Sequence, residues 1–269
     1  MKWLKLHMYS LPLMNGFSKV FLFLIISILL INTKTSAQNN FIPGEELKYN
    51  VSYGPINAGI ANIFLIRTIY NNQPVFYSKM AAQTIGLPDK IYKVKDAYEC
   101  YFDSVTILPL MAVRDIREGR YKKKNIDTYD YNKNSVLTLK KGEIKISAGV
   151  RDVISTYYFL RNYDFSGLKK GDVITMDIFF NDEIITFKVH YLGKESIDSK
   201  IGKINCIKLQ PEMMDKEKNK DTENVSPTPK DDMTIWLSDD PNQVPVRVKF
   251  ELFIGSIKAD LTEYINLKY

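Results

Sequence analysis

One segment of this chain, Gly149 to Asn162, has the periodicity of a helix, whereas most other segments have that of strands. Asp152 is a good N-cap, because its carboxylate can accept hydrogen bonds from the free amides of the first helical turn. The apolar residues that follow recur at helical spacing: Val153, Ile154, Tyr157, Tyr158 and Leu160. They cover most of the circumference, which predicts a helix packed on more than one side, with a sheet as its partner.

The other segments predict that sheet. Glu46 to Tyr53 alternates strictly between polar and apolar residues, as a strand does when one of its faces is solvated. Asn71-Asn72 and Asn181-Asp182 mark hairpin turns. Val244 to Ile254 alternates over its whole length and predicts a long strand. We therefore predict a mainly β fold, with a large curved antiparallel sheet, half-barrel or barrel-like, and the 152–161 helix packed on its concave side.

Residues 1–37 are predicted to be a signal peptide of the Sec type. Val20 to Ile31 is an apolar run interrupted by Ser27, with lysines before it and small residues after it. The run is short for a membrane span, so cleavage is expected before Gln38; an uncleaved N-terminal anchor is the alternative. Export to the periplasm of a Gram-negative-like envelope, or secretion, is therefore expected.

The mature chain, residues 38–269, is predicted to be a single β-rich domain with a flexible charged insertion at about 213–232. No transmembrane span is expected in it. Residues 1–37 carry four of the 37 basic residues and no acid, so the mature chain has 33 basic and 31 acidic residues and a net charge near +2. This balance gives no support for binding to nucleic acid or to an anionic membrane. The basic run Arg117 to Lys124 is interpreted as a solvated hairpin end.

Sequence patterns that mark catalysis are scarce. After residue 37 the chain has one histidine, His190, and GxSxG, CxxC and HExxH are all absent. No catalytic residue, metal site or cofactor is therefore predicted. The chain has two cysteines, Cys100 and Cys206. The sequence leaves two alternatives for them: a disulfide with each other or two buried thiols. Plentiful carboxylates, such as Asp239-Asp240, leave glycan hydrolysis open as well.

Four side chains are candidates for ligand binding: Tyr157, Tyr158, Arg161 and Trp236. A helix that covers a curved sheet can present aromatic and guanidinium groups to an enclosed ligand. The alternative is that the tyrosines belong to the core and that Arg161 pairs with a carboxylate near the end of the helix. Trp236 either lines the mouth of a pocket or packs.

Three stretches resemble an exported bacterial family of unknown function, DUF3108. They are FIPGEELKYNVSYGPINAGIA (Phe41 to Ala61), RDVISTYYFLRN (Arg151 to Asn162) and WLSDDPNQVPVRVKFELFIGSIKADL (Trp236 to Leu261). The resemblance implies an exported β-rich domain with a conspicuous helix, and it brings no established activity or catalytic residue. The C-terminal strands are also similar in arrangement to the half-barrels of periplasmic lipoprotein carriers such as LolA and LolB, which hold acyl chains between a bent sheet and helices.

The function expected from these features is a non-enzymatic envelope protein that binds a hydrophobic or amphipathic ligand, such as a lipid or a lipidated protein. One alternative is an envelope scaffold or assembly factor with a protein partner, which predicts an exposed apolar patch or an open sheet edge. The second alternative is a carboxylate-based glycan hydrolase. It predicts a polar cleft with two close acids, one of which has a raised pKa.

Overall fold

Antiparallel strands dominate the computed structural model, which describes residues 39–214 and 233–269. The strands are β1 (Glu46–Tyr53), β2 (Ile56–Tyr70), β3 (Gln73–Thr84), β4 (Lys95–Phe102), β5 (Pro109–Glu118), β6 (Tyr121–Asp130), β7 (Ser135–Thr138), β8 (Gly142–Lys145), β9 (Val173–Phe180), β10 (Glu183–Ser199), β11 (Gly202–Met214), β12 (Met233–Ser238), β13 (Pro245–Glu251) and β14 (Ser256–Ile265); the helices are α1 (Gly86–Ile91) and α2 (Val153–Arg161). The predicted signal peptide, and residues 215–232 of the predicted insertion, lie outside the described residues.

All fourteen of these strands form one sheet, in the order β8-β7-β6-β5-β4-β3-β2-β1-β14-β13-β12-β11-β10-β9. Each pair of neighbours is antiparallel, and every pair except β1–β14 consists of strands consecutive in the chain. The pairing of β1 with β14 joins two meanders at the centre of the sheet. Strands β8 and β9 are its two edges, so the sheet is not closed.

Helix α2 connects the two meanders and explains how the sheet curves. It packs against β3 and β4 in one meander and against the edge strand β9 of the other. Just before the helix, Arg151 forms a parallel bridge to Ile178 of β9. A sheet in which β4 and β9 lie on either side of one helix must curl around that helix. The predicted curved sheet with the principal helix on its concave side is confirmed.

The start of α2 is fixed by its cap. The Asp152 carboxylate accepts hydrogen bonds from the amides of Ile154 at 3.2 Å and Ser155 at 2.8 Å, and the Ser155 hydroxyl accepts from the Asp152 amide at 3.0 Å. This reciprocal capping box satisfies donors that would otherwise be buried without partners. The Cys100 thiol also donates to Asp152, at 3.3 Å. Burial raises the pKa of that thiol, and both Cys100 and Cys206 are free.

Strands β10 and β13 differ in how they end. Strand β10 continues to Ser199 beyond a bulge at Leu192, next to Gly193, whose φ of +100° suits glycine. Strand β13 ends at Glu251, whereas the alternation predicts a strand as far as Ile254. The apolar residues after Glu251 form a turn that pairs with no strand of the described residues. The alternation of apolar and polar residues shows which side chains would share a face, but it does not show whether a neighbouring strand is there to pair with them.

Candidate functional site

The guanidinium of Arg161 lies wholly inside the protein. It is 0% exposed and pairs with the Glu45 carboxylate, which accepts from Nη1 and, at 2.9 Å, from Nη2. Nε and Nη2 also donate to the Asn242 carbonyl at 3.1 and 3.0 Å, and Nη1 donates to the Tyr157 hydroxyl at 3.3 Å. All five N–H groups of Arg161 therefore have acceptors within the protein. These bonds tie the end of α2 to the chain before β1 and to the β12–β13 turn.

The two helix tyrosines lie in the core beside Arg161. Tyr158 is 0% exposed, and its hydroxyl is 3.1 Å from that of Ser78 on β3. Its ring stacks on Phe102, with the centroids 5.1 Å apart, and lies 4.5 Å from the ring of Phe41. Tyr157 packs against the same group of buried side chains and against a second group around Leu47 on β1. The helix thus brings three of the four candidate residues together. Tyr157 and Tyr158 pack in the core, and Arg161 forms an ion pair with Glu45.

Trp236, the fourth candidate, lies on the other face of the sheet. The strand register shows this. Trp236 on β12 is directly opposite Arg247 on β13, Arg247 is opposite Asp260 on β14, and Asp260 is opposite Asn50 on β1. Residues in directly opposed positions share a face, and Asn50 faces away from α2. The Trp236 indole N–H donates to Glu195 near the end of β10. The sheet therefore separates Trp236 from the three helix residues.

A groove of about 680 Å³ is lined mostly by residues of this same face, opposite α2. On β1 it is lined by Glu46, Lys48 and Asn50, which alternate with the helix-facing Leu47, and also by Tyr49. The residues in register with them on β2, β3 and β4 continue the lining: Ile60, Asn62, Lys79, Ala81, Gln83, Lys95 and Ala97. The lining also includes Ala61, Ala82 and Asp96 from the row of Tyr49, and Thr262 and Glu263 on β14. The groove therefore crosses five neighbouring strands, β14 and β1 to β4, mostly along their solvated face.

The floor of the groove is apolar and its edges are charged. Ala81 lies directly opposite Ala97, and these short side chains leave space between the longer ones around them. Lys48 pairs with Glu263 at 3.0 Å and Lys79 with Glu99 at 2.9 Å. Lys200, in the β10–β11 turn, also lines the groove. Within residues 39–214 and 233–269, Lys95 and Lys200 have no acidic partner.

A second polar cluster lies where β6 approaches the β9–β10 turn. Burial raises the pKa of the Asp127 carboxyl to about 6, and the charge of Asp182 adds to this effect, while Arg114 opposes it. The cavity beside Asp127 has a volume of about 30 Å³. That is the share of one water molecule in the liquid, far below the size of a sugar ring. Asp127 and Asp182 therefore interact electrostatically beside a cavity that is too small for a sugar ring.

The described part of the chain contains no group of three or more His, Cys, Asp or Glu side chains placed to hold a metal ion. His190 instead pairs with Glu212, with 3.0 Å between Nε2 and the carboxylate oxygen. Among the helices of residues 39–214 and 233–269, none is long and apolar enough to cross a bilayer.

The family model described as a protein of unknown function, DUF3108, matches residues 48–262. The chain belongs to this family. Its sequence resemblance to DUF3108 is thereby confirmed over most of the predicted mature chain. Among curated proteins, none matches this DUF3108 chain.

Solved structures add a fold relationship for the DUF3108 protein. A β-barrel-like protein of family DUF1849 from Brucella abortus aligns with a TM-score of 0.53 at 8% identity, covering 82% of this chain and 96% of that one. At this identity the likeness shows a shared fold and nothing more. A protein provisionally described as a lipoprotein, from Parabacteroides distasonis, aligns with a TM-score of 0.37 at 11% identity, over 85% of this chain and all of that one.

The groove of the DUF3108 protein was missed in the sequence because its lining residues alternate like those of any solvated strand face. A signal was present in the small residues Ala81 and Ala97, which occupy strand positions where larger side chains are usual. Their separation in the chain hides that they are cross-strand neighbours. Only the register of β3 and β4, which is a long-range property, shows that these two alanines form the floor of the groove together.

The raised pKa of Asp127 predicts how the stability of the DUF3108 protein depends on pH. The folded carboxyl keeps its proton up to about pH 6, whereas an unfolded one releases it near pH 4. The folded state therefore binds more protons in this window, and this group makes the protein less stable as pH rises through it. We expect Asp127→Asn to raise the free energy of unfolding at pH 7 by about 1–2 kcal/mol, after allowance for partial exposure of the carboxyl.

Urea unfolding at several pH values between 4 and 7 measures this effect. The matched control is Asp198→Asn, which removes a carboxylate that is exposed on β10 and not buried as that of Asp127 is. A wild-type profile with the same slope as that of Asp127→Asn between pH 4 and 6 would contradict the assignment.

Proposed function

We propose that this DUF3108 protein is a non-enzymatic binder of an amphipathic ligand, which it receives in the groove opposite α2. The observation that carries the proposal is the combination of size and chemistry in that groove. Its volume of about 680 Å³ falls in the range of small-molecule sites, roughly 300–1,000 Å³. Its apolar floor and charged edges match a ligand that has an apolar part and a polar head.

The charges at the groove favour an acidic head. Four lysines and three acids line it, and Lys48 is paired with one of these acids, Glu263. Lys95 and Lys200 lack an acidic partner in the described part of the chain, so they can pair with an anion of the ligand. The alanine floor would hold an apolar chain. A fatty acid, a phospholipid, or the acyl group of a lipidated protein has this chemistry, and export to the envelope would bring the protein to such ligands.

The four candidates from the sequence support this groove from outside it. Tyr157 and Tyr158 pack against the helix-facing side chains of the strands that carry the groove, and Arg161 binds Glu45 just before β1. Trp236 holds Glu195 near the end of the β10–β11 hairpin, and the turn of that hairpin supplies Lys200. In our proposal these residues fix the shape of the sheet and the position of the hairpin.

The first test is native mass spectrometry of residues 38–269, purified without detergent from a lysate that contains membranes. The expected result is an extra mass that organic extraction identifies as a lipid, together with uptake of added fatty acid. The variant Ala97→Trp places an indole on the floor of the groove, and we expect it to weaken fatty-acid binding by about tenfold or more, because it fills the space for the chain.

The matched control is Ala148→Trp, which adds the same ring to an exposed residue before α2. It is expected to bind like the wild type, and thermal unfolding shows whether both variants are folded. A bare mass without uptake of fatty acid or phospholipid would overturn the binder proposal and favour a scaffold, for which partner capture is the next experiment. Equal binding by Ala97→Trp and the wild type would overturn the location of the site.

A further inference from the structure

Exposed apolar side chains gather at one end of the sheet, where the β1–β2 and β13–β14 turns lie side by side. The Gly54 amide donates to the Ser256 carbonyl at 3.2 Å, and the Tyr53 hydroxyl donates to the Ile254 carbonyl at 2.8 Å. Phe253 is wholly exposed and Ile254 is 71% exposed. We call this group of exposed residues the apolar tip: Tyr53, Ile56, Leu252, Phe253 and Ile254.

Helix α1 extends the apolar surface at the same end. The strands β1, β3 and β5 end here and β2, β4 and β6 begin here, so their connecting turns are neighbours. The Ile85 amide, just before α1, donates to the Ala58 carbonyl on β2 at 3.1 Å. The helix has no buried residue, and its apolar side chains Leu87 and Ile91 are 68% and 77% exposed. Two separate parts of the chain therefore present large apolar groups to solvent.

Unpaired cations accompany these apolar groups. The β5–β6 turn is tied to the chain after α1, because the Gly119 amide donates to the Lys93 carbonyl at 2.7 Å. This brings part of the basic run beside α1. Four exposed cations have no acidic partner among the described residues: Lys90, Lys93, Arg120 and Lys122. The nearby Asp89 carboxylate accepts from the Thr84 hydroxyl at 2.9 Å.

We propose that this end of the protein docks on the surface of an anionic lipid bilayer, with the apolar tip inserted among the head groups. Exposed apolar groups on this scale mark an interaction site. Protein interfaces are depleted of lysine, whereas a bilayer surface rewards apolar side chains and cations together. The tip also projects as turns, which can enter a fluid head-group layer. The net charge near +2 does not oppose docking. Salt screens charges beyond about 10 Å, so the attraction to the bilayer depends on the local cluster of four cations and not on the net charge of the whole chain.

The test is co-sedimentation of residues 38–269 with vesicles. Residues 1–37 are left out, because their apolar run would insert by itself, and Asn39–Tyr269 forms a compact unit of its own. Vesicles of about three parts phosphatidylethanolamine to one part phosphatidylglycerol are compared with vesicles of phosphatidylcholine alone. We expect at least about tenfold tighter binding to the anionic vesicles, and weaker binding as salt is added.

The double variant Phe253→Ser with Ile254→Ser is expected to lose at least about tenfold in affinity for the anionic vesicles, since both apolar groups are removed. Ile69→Ser is the matched control, because it removes an exposed apolar side chain, 72% exposed, next to the turn at the opposite end of β2. It is expected to bind like the wild type. Circular dichroism shows whether the variants are folded.

A reporter variant gives a second measurement. Phe253→Trp places an indole at the tip, while Trp236 is 8% exposed and supplies a constant background. A blue shift of the fluorescence on addition of the anionic vesicles is expected. Wild-type protein that stays in the supernatant with both kinds of vesicle would overturn the proposal, and so would a tip variant that sediments as the wild type does.

Discussion

Replacing Arg161 with methionine should lower the free energy of unfolding by about 3–5 kcal/mol. The side chain of Glu45 is 1% exposed, and this substitution leaves its carboxylate buried without a cation. The Asn242 carbonyl loses two donors at the same time. The measurement is urea unfolding, followed by circular dichroism at neutral pH, with the midpoint and the slope compared with those of the wild type.

The matched control removes both charges, in the double variant Glu45→Leu with Arg161→Met. Replacement of a whole buried ion pair with apolar side chains is often close to neutral, so this variant should recover most of the lost stability. Arg161→Met with an unchanged midpoint would show that the pair is not held as described. Unchanged stability together with lost ligand binding would instead make Arg161 a ligand contact.

The second large effect is expected from Tyr158→Ala. The ring fills space between Phe41 and Phe102 and is 0% exposed, so its removal leaves a cavity between α2 and β4. Loss of a buried aromatic side chain costs about 3–5 kcal/mol. For a chain of this size the melting temperature should fall by roughly 10 °C, as measured by differential scanning calorimetry.

Tyr158→Phe separates packing from hydrogen bonding. It keeps the ring and removes the hydroxyl, which is 3.1 Å from Ser78. The expected loss is about 1 kcal/mol, since one hydrogen bond is removed. Equal losses for the alanine and phenylalanine variants would mean that the polar pair with Ser78, and not the aromatic packing, anchors the helix.

Much of the fold could be predicted from local patterns. Strict alternation from Glu46 to Tyr53 gave a strand with the observed bounds, and the capping signal at Asp152 gave the start of α2. The asparagine-rich turns also follow from local chemistry: Asn71 and Asn72 have φ of 48° and 60°, in the left-handed region that asparagine tolerates. In each case the deciding interactions lie within a few residues of one another.

The candidate site could not be predicted in the same way, because its contacts join distant parts of the chain. The partner of Arg161 is Glu45, which is 116 positions away. Trp236 was grouped with the helix residues, and only the register through Arg247 shows that it faces the other way. Leu252 to Ile254 has the alternation of a core strand, but it has no partner strand among the described residues and its apolar side chains are exposed.

The central pairing of β1 with β14 has a consequence for the order of folding. These two strands stand at opposite ends of the described chain, and Lys48 pairs with Glu263 across 215 positions. Each meander can form from neighbouring hairpins as the chain emerges, but the middle of the sheet must wait for the last strand. Long-range pairing of this kind slows folding. Until β14 has formed, β1 has one unpaired edge, which is open to pairing with another chain.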